Sequence, residues 1–371
     1  MKWLMFRFER QSHASLFLPV VKKIGLICFL ALIFPQHSLA SGPNNMDGQG
    51  VVGIPYEIEN CLDLQAVSEN MSAYYRLAND IDCSGTTLWN GGKGFVPIGQ
   101  QPNNAIVPFG GNFDGNGKTI SDLYIDKSTE INKNIGLFEY LGLNARIHNF
   151  RLTYSYIGSG LNGSNATTYI GGIVAEDFNA FIDRVDIEGI VYQGCSAIED
   201  NYIYIGGIAG KGASTITKSS SNVQITTSNC PKQQTNSGGI IGWGTGTSIN
   251  DSSAFISMHI DSQNTVPGYP HTAGGLIGKS SNSSITSSYA NGAIDLDYTP
   301  GDYQSWYAGG LIGYSGDDSL NNNFTMVAIN VDTSCTGTEC DGGDRKKGAI
   351  VGSNASSNAY SSNYYDEDKM G

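Results

Sequence analysis

The run Gly274-Gly275-Leu276-Ile277-Gly278 returns at a nearly constant interval along the chain, and that recurrence decides the fold. Upstream it reads Gly238-Gly239-Ile240-Ile241-Gly242, Gly206-Gly207-Ile208-Ala209-Gly210, Gly171-Gly172-Ile173-Val174 and Ile135-Gly136-Leu137-Phe138. Downstream it reads Gly309-Gly310-Leu311-Ile312-Gly313 and, loosely, Gly348-Ala349-Ile350-Val351-Gly352. Between Gly136, Gly172, Gly207, Gly239, Gly275, Gly310 and Ala349 the steps are 36, 35, 32, 36, 35 and 39 residues. A period near 35 marks a repeat array.

Each period carries further recurring positions. An aliphatic residue follows the anchor glycine by about ten positions: Ile147, Ile182, Ile216, Ile249, Ile285 and Leu320. Alternating apolar residues come next, such as Val223 and Ile225, Ile256, Met258 and Ile260, or Val327, Ile329 and Val331. Period two over short runs bounded by Gly, Ser and Asn is a strand pattern. Three short strands followed by a loop of about ten residues would make one coil of a β-solenoid, whose aliphatic residues are buried only when coils stack about 4.8 Å apart. The anchor glycines are expected to supply either a positive φ or a close backbone approach.

Composition agrees. The 48 glycines argue against a helical body, and 34 acidic against 21 basic residues give a net charge of −13. Such a surface has little with which to displace counterions from nucleic acid, so no nucleic-acid partner is expected. At the amino terminus, Arg7, Arg10, Lys22 and Lys23 precede an apolar run from Ile24 to Phe34 and then Ser38-Leu39-Ala40. That is the layout of a signal peptide over residues 1–40, and the run is well under the roughly 20 residues a spanning helix needs. Cleavage would leave 16 basic against 33 acidic residues in an exported chain, with no integral span.

The copies resemble the GLUG-motif repeats of bacterial secreted and surface proteins, found in large adhesins and in non-catalytic regions of metallopeptidases that cleave immunoglobulin A. The preceding segment carries the resemblance too, through Cys61-Leu62-Asp63-Leu64-Gln65-Ala66, Tyr75-Arg76-Leu77-Ala78-Asn79-Asp80-Ile81-Asp82-Cys83 and Phe109-Gly110-Gly111-Asn112-Phe113-Asp114-Gly115-Asn116-Gly117. It covers roughly residues 55–368 and implies an all-β, right-handed, single-stranded parallel β-helix. The expected organisation is a leader at 1–40, a linker at 41–54, an N-terminal capping module with a short α-helix at 55–129, and GLUG-type repeats with corner insertions at 130–371. The first two copies depart from the pattern, with Glu139 and Ala175 in place of the closing glycine.

Six cysteines follow the leader, an even number in an oxidising compartment. Cys195 and Cys230 each lie 23 residues past an anchor glycine, so one coil per period would place them at the same corner of adjacent coils. Cys61 with Cys83, tying the helix capped by Asn60 to the first strand, and Cys335 with Cys340 complete the expected pairing. Buried free thiols are the alternative, and thiol titration of the denatured, unreduced chain separates the two.

No catalytic residue is expected. Polysaccharide-active β-helices need clustered acids beside a base. Asp317-Asp318 is an adjacent acid pair near a strand end in the repeats, and its turn setting favours simple solvation. None of His13, His37, His148, His259 and His271 begins a His-Glu-x-x-His zinc signature, and Gly-x-Ser-x-Gly does not occur. Gly48-Gln49-Gly50-Val51-Val52-Gly53 matches a dinucleotide fingerprint by letters alone, with Pro55 where a helix should open. No metal or cofactor is expected.

What remains is surface. Insertions near 195–203, 228–236, 261–272, 297–306 and 333–347 share one phase of the repeat and should project from one edge. Tyr269, Tyr303 and Trp306 on them could stack on sugars or anchor a protein, or could pack back onto the coil. Tyr169, Tyr204 and Tyr307 recur three residues before the anchor glycine and read as a structural column. The reading is an exported, adhesin-like binding or structural protein that contacts a host or environmental glycan or protein. A polysaccharide lyase or hydrolase is the alternative.

Overall fold

The computed structural model describes residues 42–99, 106–129, 133–159, 167–194, 201–228, 233–262, 270–298, 305–331, 345–355 and 358–369. The leader, Tyr269, Tyr303, Cys195, Cys230, Cys335 and Cys340 lie outside these residues.

The repeats form an all-β parallel solenoid, and one period is one coil. His271–Gly274 belongs to a seven-stranded leading sheet, and Ile277–Ser281, just past the Gly-Gly bend, to a seven-stranded following sheet. Ser284–Thr286 and Tyr289–Tyr298 belong to a third sheet of 16 strands. All strand pairings between coils are parallel, and Ile147, Ile182, Ile216, Ile249, Ile285 and Leu320 lie in one unbroken register line. Each of the six is fully buried. A second line in the long strands runs Ile225, Met258, Ile294 and Ile329.

The first two repeat coils hold the expected three strands, ending in the long strands Arg146–Ser159 and Phe181–Gly194, whereas coils from Asn201 onward hold four, because left-handed residues flank the aliphatic one and divide the third strand. Asn282 (φ 54°) and Ser287 (φ 50°) turn the chain on either side of Ile285 and isolate a three-residue strand. Gly246 with Asp251 and Asp317 with Asn322 do the same in the neighbouring coils, whereas Asn179 and Arg184 leave Phe181–Gly194 one continuous strand. After the second of these turns in the later coils, the next residue carries a polar side chain that takes up a backbone N–H of the preceding coil. Ser252 Oγ accepts from Ser219 N (3.2 Å), Ser288 Oγ from Ser252 N (3.2 Å), Asn323 Oδ1 from Ser288 N (3.0 Å) and Asn363 Oδ1 from Asn323 N (3.1 Å). These ladders satisfy polar groups that the corners would otherwise bury unpaired.

The anchor glycines serve close approach rather than a positive φ. A Cβ on Gly207, Gly239, Gly275 or Gly310 would stand 2.0–2.3 Å from a carbonyl oxygen of the next coil. None of these four is among the positive-φ residues. The insertions are also narrower than expected, since strands already begin at Asn201, Gln233, His271, Trp306 and Arg345.

At the N-terminal end, helix α1 (Cys61–Ala66) is capped by Asn60, whose side chain accepts from Leu62 N (2.9 Å) and Asp63 N (3.1 Å). Leu64 and Val67 are fully buried beneath it, and Cys61 is bonded to Cys83 with the two Cα atoms 5.6 Å apart. Phe109, Phe138, Phe113 and Phe150 pack in that order through the N-terminal end of the core, with successive ring centroids 4.9–5.8 Å apart. Gly48 to Gly53 forms a turn closed by an antiparallel Val51–Ile54 bridge and no helix follows it.

Candidate binding groove

Strand alternation and coil stacking together build columns of side chains on each sheet. On the following strands, the residue four places past the anchor glycine gives the line Tyr140, Glu176, Lys211, Trp243, Lys279, Tyr314 and Ser353. On the leading strands, the residue three places before it, or two in the first copy, gives Asn134, Tyr169, Tyr204, Asn236, Thr272, Tyr307 and Lys346. Both lines flank the Gly-Gly bend, so their side chains meet across it.

The aromatic members touch. Tyr204 stacks on Tyr169 (5.3 Å between centroids) and on Trp243 (5.2 Å), and Tyr307 on Tyr314 (5.6 Å). Cations interleave with them: Lys211 Nζ lies 5.6 Å from the Tyr169 ring and 5.2 Å from Trp243, and Lys346 Nζ lies 5.4 Å from Tyr307. Lys279 Nζ lies between Trp243 (5.3 Å) and Tyr314 (5.9 Å). Cation–π contacts of this kind are worth about 0.5–1 kcal/mol when exposed and about 2 when desolvated.

The leading line loses its bulk at Asn236 and Thr272, where earlier and later coils have tyrosine. A groove of about 640 Å³ opens there. Trp243 borders it on one side and Tyr307 and Tyr314 on the other. Thr272 and Ser280 form its floor, and Gln234, Pro270, Lys279, Ser281 and Asp317 complete its walls. The Thr272 hydroxyl donates to Asn236 Oδ1 (2.9 Å), which fixes the floor. Trp243 and Tyr314, one coil to either side of Lys279, are about 9.6 Å apart along the stacking direction at about 4.8 Å per coil.

Charge is unevenly matched along the following line. Glu176 holds Lys211 in an ion pair at 2.8 Å. Among the described residues, no carboxylate pairs with Lys279, and burial lowers its ammonium pKa from the ordinary lysine value.

The residues singled out from sequence are distributed differently. Trp306 is 6% exposed; it opens its leading strand pointing inward, paired in register with the buried His271, so its ring is not offered to solvent. Tyr169 and Tyr204 are register neighbours, whereas Tyr307 lies on the same line beyond the Asn236–Thr272 gap. Asp317 is an exposed left-handed corner residue, and Asp318 is buried in the corner ladder. Asp318 accepts from Ser280 Oγ (3.1 Å), Ser283 N (2.8 Å), Ser315 Oγ (2.5 Å) and Gly316 N (3.2 Å), so its oxygens are engaged in holding the turn. Burial nonetheless raises its pKa. Trp243, Lys279 and Tyr314 went unnoticed in the sequence, although aligning the repeats on their glycines places all three in one column.

Comparison with known proteins places these features in context. Residues 269–295 match the GLUG motif. Halomucin of Haloquadratum walsbyi is 41% identical over 109 residues, 28% of this chain and 1% of that protein. A Gly-rich protein of Evansella cellulosilytica, described provisionally as a membrane protein, is 29% identical over 167 residues, 44% of this chain and 18% of its own length. The chain thus spans a small part of both relatives. The crystal structure of a Bacteroides ovatus protein, assigned provisionally as an immunoglobulin A1 protease, superposes with a TM-score of 0.55 and 19% identity, covering 82% of this chain and 86% of that one. At that identity the likeness speaks for the fold. Residues 269–295 are therefore a GLUG motif, set within a parallel β-solenoid of like-spaced GLUG-type repeats.

Proposed function

We propose that this chain is an exported, non-enzymatic β-helix that presents a fixed binding surface to a glycan or protein, and that the groove between Trp243 and Tyr314 is its contact site. The observation that carries this reading is the pair of aromatic walls separated by the missing bulk at Asn236 and Thr272. Coils held by parallel pairing on both sides keep those walls in place without a ligand, so little ordering entropy opposes binding. The basic and apolar leader supports export, and the likeness to a protein described as membrane-associated is compatible with a surface location.

The alternative, a polysaccharide-degrading enzyme, draws on the adjacent Asp317 and Asp318. The hydrogen bonds engaging Asp318 weigh against it, since a general acid or base must reach a substrate proton. A panel of immobilised glycans and proteins, probed with the native chain and with Trp243→Ala, tests the reading. Saturable binding to one of them, weakened by the substitution and without release of reducing ends, is expected. Reducing-end release from any glycan would replace this reading with the enzymatic one.

A further inference from the structure

We infer that the groove selects a saccharide bearing a carboxylate, with Lys279 as the residue that pairs with the acid; the inference rests on the binding reading above. Two lysines of one column make the case. Lys211 and Lys279 lie on opposite sides of Trp243, each within 5.3 Å of its ring centroid. The aromatic surroundings are alike, but Lys211 is neutralised by Glu176 at 2.8 Å. At Lys279 the corresponding place one coil earlier is Trp243 itself, and among the described residues no carboxylate forms an ion pair with it. A half-buried ammonium with only ring faces for company gains most from an anion delivered by a ligand.

Other features of the groove point to a sugar rather than a peptide. Among the described residues every leading and following strand around it has parallel partners on both sides, and the stretch of edge left without a register partner, Gln233–Thr235, is too short for an extended peptide to join. Recognition must therefore run through side chains. Trp243, Tyr307 and Tyr314 offer apolar walls suited to the C–H faces of a pyranose, while Ser281, Gln234 and Asp317 supply polar groups for hydroxyls. The chain's net charge of −13 opposes a polyanion at long range, but that field is largely screened beyond about 8 Å at physiological salt, whereas contact at Lys279 is not.

Titration calorimetry of the native chain with an oligogalacturonide and with its carboxyl-reduced counterpart tests the inference, alongside Lys279→Gln, Lys279→Arg and an acidic polyglutamate peptide. The acidic sugar should bind about tenfold or more tightly than the reduced one. Lys279→Gln should abolish that preference while retaining the weaker binding, and Lys279→Arg should keep it. Equal binding of the two sugars by the native chain, or a preference that survives Lys279→Gln, overturns the carboxylate assignment and leaves the binding reading standing. Binding of neither sugar overturns the saccharide inference while the glycan and protein panel still decides the binding reading, and tighter binding of the peptide than of either sugar replaces the saccharide by an acidic protein segment. A melting temperature of Lys279→Gln equal to that of the native chain separates lost recognition from lost fold.

Discussion

Gly239 and Gly246 represent two separate uses of glycine in this chain. Gly239 has no positive φ, yet a Cβ there would meet Gly275 O at 2.2 Å, so Gly239→Ala must push two coils apart. Gly246 turns a corner at φ 66° with nothing within 4 Å of the added atom, and its replacement costs only backbone strain, about 1–2 kcal/mol. Denaturant unfolding should show Gly239→Ala as the more destabilising, by about 3 kcal/mol or more. His271 provides a pH-dependent counterpart. Burial lowers its pKa to about 4, and its Nδ1 accepts from Thr235 N (3.3 Å), an arrangement for neutral imidazole. Between the ordinary value of 6.5 and about 4 the unfolded chain binds the proton and the folded chain does not. Stability is thus lost as pH falls through that window, by roughly 3 kcal/mol from this group. His271→Gln should flatten the dependence of melting temperature on pH between 6.5 and 4; an unchanged slope would contradict the buried neutral histidine.

The corner ladders show which elements depend on particular side chains. Asn323 accepts from Ser288 N and donates to Ile285 O (2.9 Å), so one amide links two coils at the corner. Asn323→Ala leaves both backbone groups unpaired, at a cost of about 1–3 kcal/mol each at most. Asn323→Ser should cost less, because Ser219, Ser252 and Ser288 fill that ladder position in earlier coils. Thermal unfolding of the two variants checks the order. The aliphatic column beside the ladder could be read from sequence because stacking demands an apolar residue at that depth in every coil. The left-handed corners around it could not. Arg184, Lys218, Asp251, Ser287 and Asn322 occupy equivalent turns, so no single letter marks them, and hydrogen bonds from neighbouring coils hold conformations that propensity alone disfavours.

At the scale of the molecule, each coil contacts mainly its neighbours, so stability should propagate along the stack instead of residing in one core. The Cys61–Cys83 bond closes a separation of 22 residues at the N-terminal end and should contribute roughly 3 kcal/mol there. Hydrogen exchange after mild reduction should therefore loosen residues near α1 and Tyr74–Leu77 well before the strands around Ile249; uniform loosening would contradict nearest-neighbour coupling. The solenoid and its period were legible because they repeat. The groove was not, because it arises where a repeat fails: Asn236 and Thr272 are small where Tyr204 and Tyr307 are large, and a pattern sought for its constancy passes over such a gap. Thr272→Tyr restores the missing side chain and should fill the groove while leaving the pairing of His271–Gly274 intact. Calorimetric titration of native and Thr272→Tyr chains with the same oligogalacturonide is the most direct test. Binding weakened about tenfold or more at an unchanged melting temperature is the predicted result. Equal affinity in the two chains would show that the gap beside Lys279 is not where the ligand sits.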